Sequence, residues 1–317
     1  MIRVALVAVL LCAGCIGATT PSAGPVEQRA PGTWTTRAPA PVARQEVAVA
    51  AHDGHVWVMG GFDARAAPDS KVESYDPLTD TWHERPPLPV ALHHAAAAAA
   101  DGRLFVIGGY TGSRLRWTPL ATVYELVGQR WEQRASLLTA RGGLAAAVLD
   151  GRVHALGGSG RGVSGAHEVY DARTDRWRGA SAMPTARDHL AAVAFQGRIW
   201  ALGGRASFSG TQYANVEIYD PATDSWRVGP SLPAGRGGIA AAALADRILV
   251  FGGEAPFRIF NATEMYEVAR ERWIAMAPMP TPRHGIGAAV VGGRVYVPVG
   301  GTEPGFAATT VNEVYTP

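Results

Sequence analysis

The chain has 317 residues, 47% of them hydrophobic and 18% charged, with a formal net charge of +2. That is the composition of a packed globular chain, and a near-neutral balance without a basic stripe excludes nucleic acid as a partner. The only two cysteines, Cys12 and Cys15, lie close to the N-terminus, so the chain beyond them holds neither a disulfide nor a thiol nucleophile.

Residues 1–14 read as an export signal: Arg3 precedes an apolar run, Val4–Leu11, that is too short to span a bilayer. Cys12-Ala13-Gly14-Cys15 resembles a bacterial lipobox, with Cys15 as the lipidated residue and Cys12 where Leu is usual. Plain cleavage near Ala18 is the competing reading. The expected location is therefore outside the cytoplasm of a bacterium, as a membrane-anchored lipoprotein or as a periplasmic or extracellular protein. The membrane is reached only through a lipid anchor. Residues 15–32, rich in Pro, Thr, Ala and Ser, read as a tether, and residues 33–317 as one domain.

That domain repeats. A diglycine ends a short apolar run at Gly60-Gly61, Gly108-Gly109, Gly157-Gly158, Gly203-Gly204, Gly252-Gly253 and Gly300-Gly301. A Tyr follows each pair after a loop of variable length: Tyr75, Tyr124, Tyr170, Tyr219, Tyr266 and Tyr315. Seven residues beyond the first five stand Trp82, Trp131, Trp177, Trp226 and Trp273. A period of roughly 20–50 residues signals stacked supersecondary units. Each unit reads as four antiparallel strands, a to d. Asp53-Gly54, Asp101-Gly102 and Asp150-Gly151 are expected to turn strand a into strand b. Asp-Pro segments such as Asp76-Pro77 turn strand c into strand d.

Gly-Gly, Tyr and Trp at this spacing resemble the kelch repeat, from Trp34 to Tyr315. The resemblance implies an all-β, six-bladed propeller. The sixth unit stops at Pro317 without a Trp, while Trp34 has no strands a to c before it. The segment around Trp34 is thus expected to supply strand d of the last blade and close the ring. Alanine runs such as Ala95–Ala100 are expected to line the axis, where blades converge and space tapers.

Antiparallel alternation puts the b–c loops and the approach to strand a on one face. Variable loops on a rigid scaffold are where binding concentrates. Arg65, Tyr110, Arg114, Trp117, Arg161, Arg205, Phe208, Tyr213, Arg258 and Phe306 are the candidate binding residues on this face. Arg44, Arg141, Arg187, Arg236 and Arg283 recur at its mouth, where five guanidinium groups would attract an anion. A structural pairing is favoured instead. Glu73, Glu168, Glu217, Glu264 and Glu313 recur two residues before the Tyr, and the second unit loses both partners together, to Leu92 and Thr122.

No catalytic residue is assigned. Glu254 and Arg258 resemble the acid/base and carboxylate-holding pair of N-acetylneuraminate epimerases, a resemblance that implies a sugar mutarotase; the bland reading is a solvated loop with an ion pair. The Tyr–Cys chemistry of the kelch-like galactose oxidases has no counterpart. None of the nine histidines is ligand-spaced, and adjacent His93 and His94 are expected on opposite faces of a strand. No metal and no cofactor are expected. The function expected is a monomeric, exported binding module presenting a rigid face to a protein or glycan at the cell envelope, with the mutarotase as the alternative.

Overall fold

A computed structural model describes residues 32–112, 116–207 and 209–317. The export signal, Cys15 and most of the tether lie outside the described residues, as do Arg114 and Phe208.

Six four-stranded antiparallel sheets form the blades, each ordered a-b-c-d. The first comprises Ala48–His52, His55–Met59, Val72–Asp76 and Thr81–Arg85. The innermost strands of the others are Ala96–Ala100, Ala145–Leu149, Ala191–Phe195, Ala240–Leu244 and Ala289–Val291. Each packs against the innermost strand of the next blade, and the last packs against the first. Among the described residues, the one helical element is the single turn Val268–Arg270.

Side-chain size explains the axis. Burial alternates along Ala96–Ala100, so every second alanine enters the interface between blades and the others face a central channel. That channel has a volume of about 470 Å³. Small side chains let neighbouring innermost strands approach closely, and this packing overrides alanine's helix propensity.

The turns behave as their residues require. Asp53 and Gly54 have φ of 49° and 73°, the left-handed pair that a two-residue hairpin needs. At the diglycine, a Cβ on Gly60 would lie 2.7 Å from the Leu92 carbonyl oxygen, and one on Gly61 would lie 2.6 Å from that of Gln45. The pair thus permits one blade's b–c corner to meet the backbone that leads into this blade and the next.

The sixth blade departs from the sequence register. Val299, with φ of 50°, takes the place of the first glycine, and Gly300 that of the second. Gly300 donates its N–H to Arg44 O as Gly61 does to Leu92 O. The diglycine of this blade is slipped by one residue, which puts Gly301 where the other blades carry Phe62, Tyr110, Ser159, Arg205 and Glu254.

Thr33–Thr36 pairs with Asn312–Thr316, setting Trp34 opposite Tyr315, so the N-terminal strand is the outermost strand of the last blade. Tryptophan also clamps neighbouring blades. The indole N–H of Trp34, Trp82, Trp131, Trp177, Trp226 and Trp273 each donates to a carbonyl of the preceding blade's end, at 2.7–2.9 Å.

Candidate functional site

The five recurrent arginines are fully buried. Each guanidinium meets its glutamate at 2.5–2.6 Å: Arg44–Glu73, Arg141–Glu168, Arg187–Glu217, Arg236–Glu264 and Arg283–Glu313. Each also donates to backbone carbonyls; Arg236, for instance, donates to Gly252 O and Ala234 O. These groups stitch the approach to strand a onto strands b and c, and they present no charge to a ligand. In the second blade Leu92 is buried in the arginine's place.

Two residues beyond each of these positions lie Glu46, His94, Gly143, His189, Gly238 and Gly285. All six have φ between 52° and 64°. Their peptide groups form a closed ring round the axis: each N–H donates to the carbonyl of the preceding member, and Glu46 donates to Gly285 O, at 2.8–3.0 Å. Glycine suits this left-handed backbone; Glu46, His94 and His189 adopt it at a conformational cost.

The neighbouring positions add Gln45, His93, Asp188 and His284, all buried. Across from Gln45, His93, Asp188 and Gly237, one residue beyond the glycine corner, stand Phe62, Tyr110, Arg205 and Glu254, while His284 faces Gly301. One half of the axial face is therefore ionic and the other aromatic.

In the ionic half Glu46 is the hub. Its Oε2 lies 3.4 Å from His94 Nε2 and 3.9 Å from His189 Nε2, and its Oε1 lies 3.4 Å from His284 Nδ1. His284 Nδ1 is also 3.4 Å from Glu254 Oε1. Arg205 reaches Glu254 Oε1 at 2.6 Å and Asp188 Oδ1 at 3.5 Å, and Asp188 Oδ1 is 2.7 Å from His189 Nδ1. Gly285 makes this possible, since a Cβ there would lie 2.6 Å from the Glu46 carboxylate.

Burial alone would raise the Glu46 carboxyl, but the imidazoles of His94, His284 and His189 hold it well below the usual carboxylate range. Burial pushes His94 well below its ordinary value, against the pull of Glu46. His284 goes the other way: burial would lower it, yet the carboxylates of Glu46 and Glu254 raise it. Asp188 is lowered because His189 and Arg205 outweigh its burial. The ionic half thus sets carboxylates against His284, whose charged form they favour.

In the aromatic half Phe62 stacks on His93 at 3.9 Å between ring centroids, with Trp117 at 5.7 Å and Phe306 at 5.2 Å. Tyr110 packs on Trp117 and donates its hydroxyl to Ser159 O. Burial lifts its phenol to about 12. Burial also pushes His93 down to about 4.

Several sequence expectations change here. His94, His189 and His284 come from three blades and converge on Glu46, so the histidines do form candidate ligand groups: Glu46–His94–His189 and Glu46–Glu254–His284. Their places in the repeat, 95 residues apart, put all three near the mouth, but their convergence on Glu46 needs the closed ring. His93 and His94 are not on opposite faces; their Nδ1 atoms lie 2.5 Å apart, because the left-handed turn at His94 breaks the alternation of a strand. Glu254 is neither solvated nor paired with Arg258. It is buried against Arg205, whereas the Arg258 guanidinium lies over the Phe260 ring at 4.3 Å. Tyr110 and Arg205 are buried rather than rim-exposed. Arg65 and Arg161 are exposed, and Tyr213 is half-buried. Trp117 is 36% exposed and Phe306 54%. Phe257, absent from the sequence-based set, is 96% exposed in the fifth b–c loop. Glu46 and Asp188 are missed as well; aligning the six units on the arginine position sets Glu46 in a column with Gly143, Gly238 and Gly285, and Asp188 in the preceding column with Gly142 and Gly237.

Comparison with known proteins agrees with this architecture. The kelch motif matches residues 43–89, 91–137 and 186–233, the first, second and fourth blades. The solved structure of YjhT is similar, with a TM-score of 0.75 and 15% identity over 86% of this chain and 95% of that one. No curated protein is significantly similar to the chain.

Proposed function

Since the chain is a six-bladed propeller built from kelch repeats, we propose that it is a binding module that seats a protein or glycan on the face formed by its b–c loops. The observation that carries this is the exposure of Trp117, Phe257 and Phe306, all in b–c loops of that one face, with Trp117 and Phe306 resting on a buried aromatic base. Aromatic groups that keep their surface in water while anchored below are preferred contact residues. The anionic well beside them would select among partners. The reading includes export and anchoring through Cys15. Loss of the lipid on Cys15→Ser, followed by mass spectrometry of the N-terminal peptide, tests that part.

A thermal-shift screen against acidic and neutral saccharides tests the glycan arm. Pull-down from a bacterial envelope fraction tests the protein arm. Binding that falls at least tenfold in Trp117→Ala and Phe306→Ala supports the proposal. A partner indifferent to these changes, or none in either arm, defeats it.

The mutarotase reading has one supporting observation: Glu254 Oε2 is buried without a hydrogen-bond partner. Glu254 would then move the proton, with Arg205 rather than Arg258 beside it. Anomerisation of a sugar acid, lost in Glu254→Gln, would establish it.

A further inference from the structure

We propose that Glu46, His94 and His189 bind one divalent transition-metal ion, Zn²⁺ by the chemistry of the donors, at the axial end of the propeller. The six blades offer six equivalent backbone positions in the ring, and three of them are glycine. The other three hold one carboxylate and two imidazoles, side chains that coordinate metal. They do so at positive φ, where glycine would be unstrained.

The distances fit. Ligands bound to zinc at about 2.0–2.1 Å in a tetrahedron lie roughly 3.3 Å from one another. Glu46 Oε2 is 3.4 Å from His94 Nε2 and 3.9 Å from His189 Nε2, and all three donor atoms fall within 4.8 Å of one another. One ion between them needs only small rotations of the side chains.

The independent sign is His189. Its side chain is 7% exposed, and its Nε2 is buried with no hydrogen-bond partner. The other ring nitrogen sits 2.7 Å from Asp188 Oδ1. A carboxylate that takes the Nδ1 proton leaves the Nε2 lone pair directed inward, which is how histidines are oriented behind metal ions. His94 is held likewise, through its Nδ1 against His93 Nδ1.

The second candidate group, Glu46–Glu254–His284, fits worse. Arg205 already occupies Glu254 Oε1 at 2.6 Å, and a guanidinium there repels a cation. Two imidazoles and one carboxylate suit Zn²⁺ better than Mg²⁺ or Ca²⁺, which prefer all-oxygen sites. Three protein ligands leave a fourth position for water or an incoming oxygen donor.

The test uses the full chain carrying Cys12→Ser and Cys15→Ser, so that the thiols capture nothing. After chelation and dialysis it is titrated with Zn²⁺ alone, by calorimetry and by melting. One equivalent is expected to bind and to raise the melting temperature. His94→Gly and His189→Gly, which install the residue used by the other blades, are each expected to weaken binding at least 100-fold while the far-ultraviolet spectrum stays that of the parent. Asp188→Asn is expected to weaken it about 10- to 100-fold through the orientation of His189. Co²⁺ in place of Zn²⁺ is expected to give the visible bands of a tetrahedral site, lost in the same variants. Failure of the folded parent to bind Zn²⁺, binding unchanged in both glycine variants, or binding lost only on replacing His154 and His167, a buried pair whose ring nitrogens lie 2.8 Å apart, would each overturn the proposal.

Discussion

At the level of the single residue, the fully buried arginines are the most demanding part of the fold. A guanidinium without solvent costs several kcal/mol unless its N–H groups and its charge are met. Arg236 has both, from Gly252 O, Ala234 O and Glu264. Removing one partner strands the other. Arg236→Leu and Glu264→Thr are each expected to cost about 3–5 kcal/mol. The double variant, which copies the Leu92 and Thr122 of the second blade, is expected to cost less than the two singles added together. Urea unfolding of the four proteins measures the coupling, and strict additivity would mean that the pair acts as two independent groups. This much is visible in the sequence, because arginine and glutamate vanish together from one unit out of six. The buried cluster round Glu46 is not visible in the same way. Glu46, His94, His189 and His284 belong to four different blades, far apart along the chain, and only the ring closure brings them within reach.

At the level of the element, the segment entering strand a does two jobs with one conformation. It makes the closed hydrogen-bonded ring, and it aims side chains at the axis. The left-handed backbone is imposed by the ring and not by the residue, since Glu46, His94 and His189 adopt it as fully as the glycines do. Truncation should therefore show an inverted preference. At His189, glycine is expected to be the milder replacement, more stable than alanine by about 1 kcal/mol, because alanine keeps a Cβ at positive φ. Gly238→Ala is expected to lose a similar amount, for the same reason and because its Cβ would lie 3.0 Å from Gly285 N. Equal stability of the alanine and glycine variants at His189 would show that the ring relaxes when its side chain is removed. The slipped corner at Val299–Gly300 is an element-scale feature too. By residue type Gly300-Gly301 matches the other diglycines, while the backbone matches Val299 and Gly300. Strand length decides this: Arg294–Pro298 has five residues, as Arg103–Ile107 has, so the next residue must turn whatever its identity. Periodicity reveals the blades and their order, but not this one-residue offset, for which glycine is the wrong marker.

At the level of the molecule, stability depends on closing a ring of blades that are individually small. A four-stranded sheet with one face against each neighbour has no core of its own, so cooperation between blades must supply it. Thr33–Thr36 is where the ring is fastened. Trp34 packs on Phe251 of the fifth blade and on Tyr315 of the sixth, and its indole N–H donates to Ala277 O at 2.9 Å. The fastening therefore joins two blades as well as completing one. Trp34→Ala is expected to cost about 2–3 kcal/mol, somewhat under the value for a fully buried tryptophan because Trp34 is only half-buried. Deletion of residues 32–36 removes the whole strand, exposes the edge of Asn312–Thr316, and is expected to cost more. The informative readout is where the loss appears. If the ring unfolds as one unit, a probe in the third blade, such as Trp177, loses its native signal at the same lowered temperature as a probe in the sixth. A third blade that still melted at the parent temperature would mean that the blades unfold separately, and that closure protects only the blade it completes. Parent-like melting at both probes would mean that the N-terminal strand adds nothing to the ring.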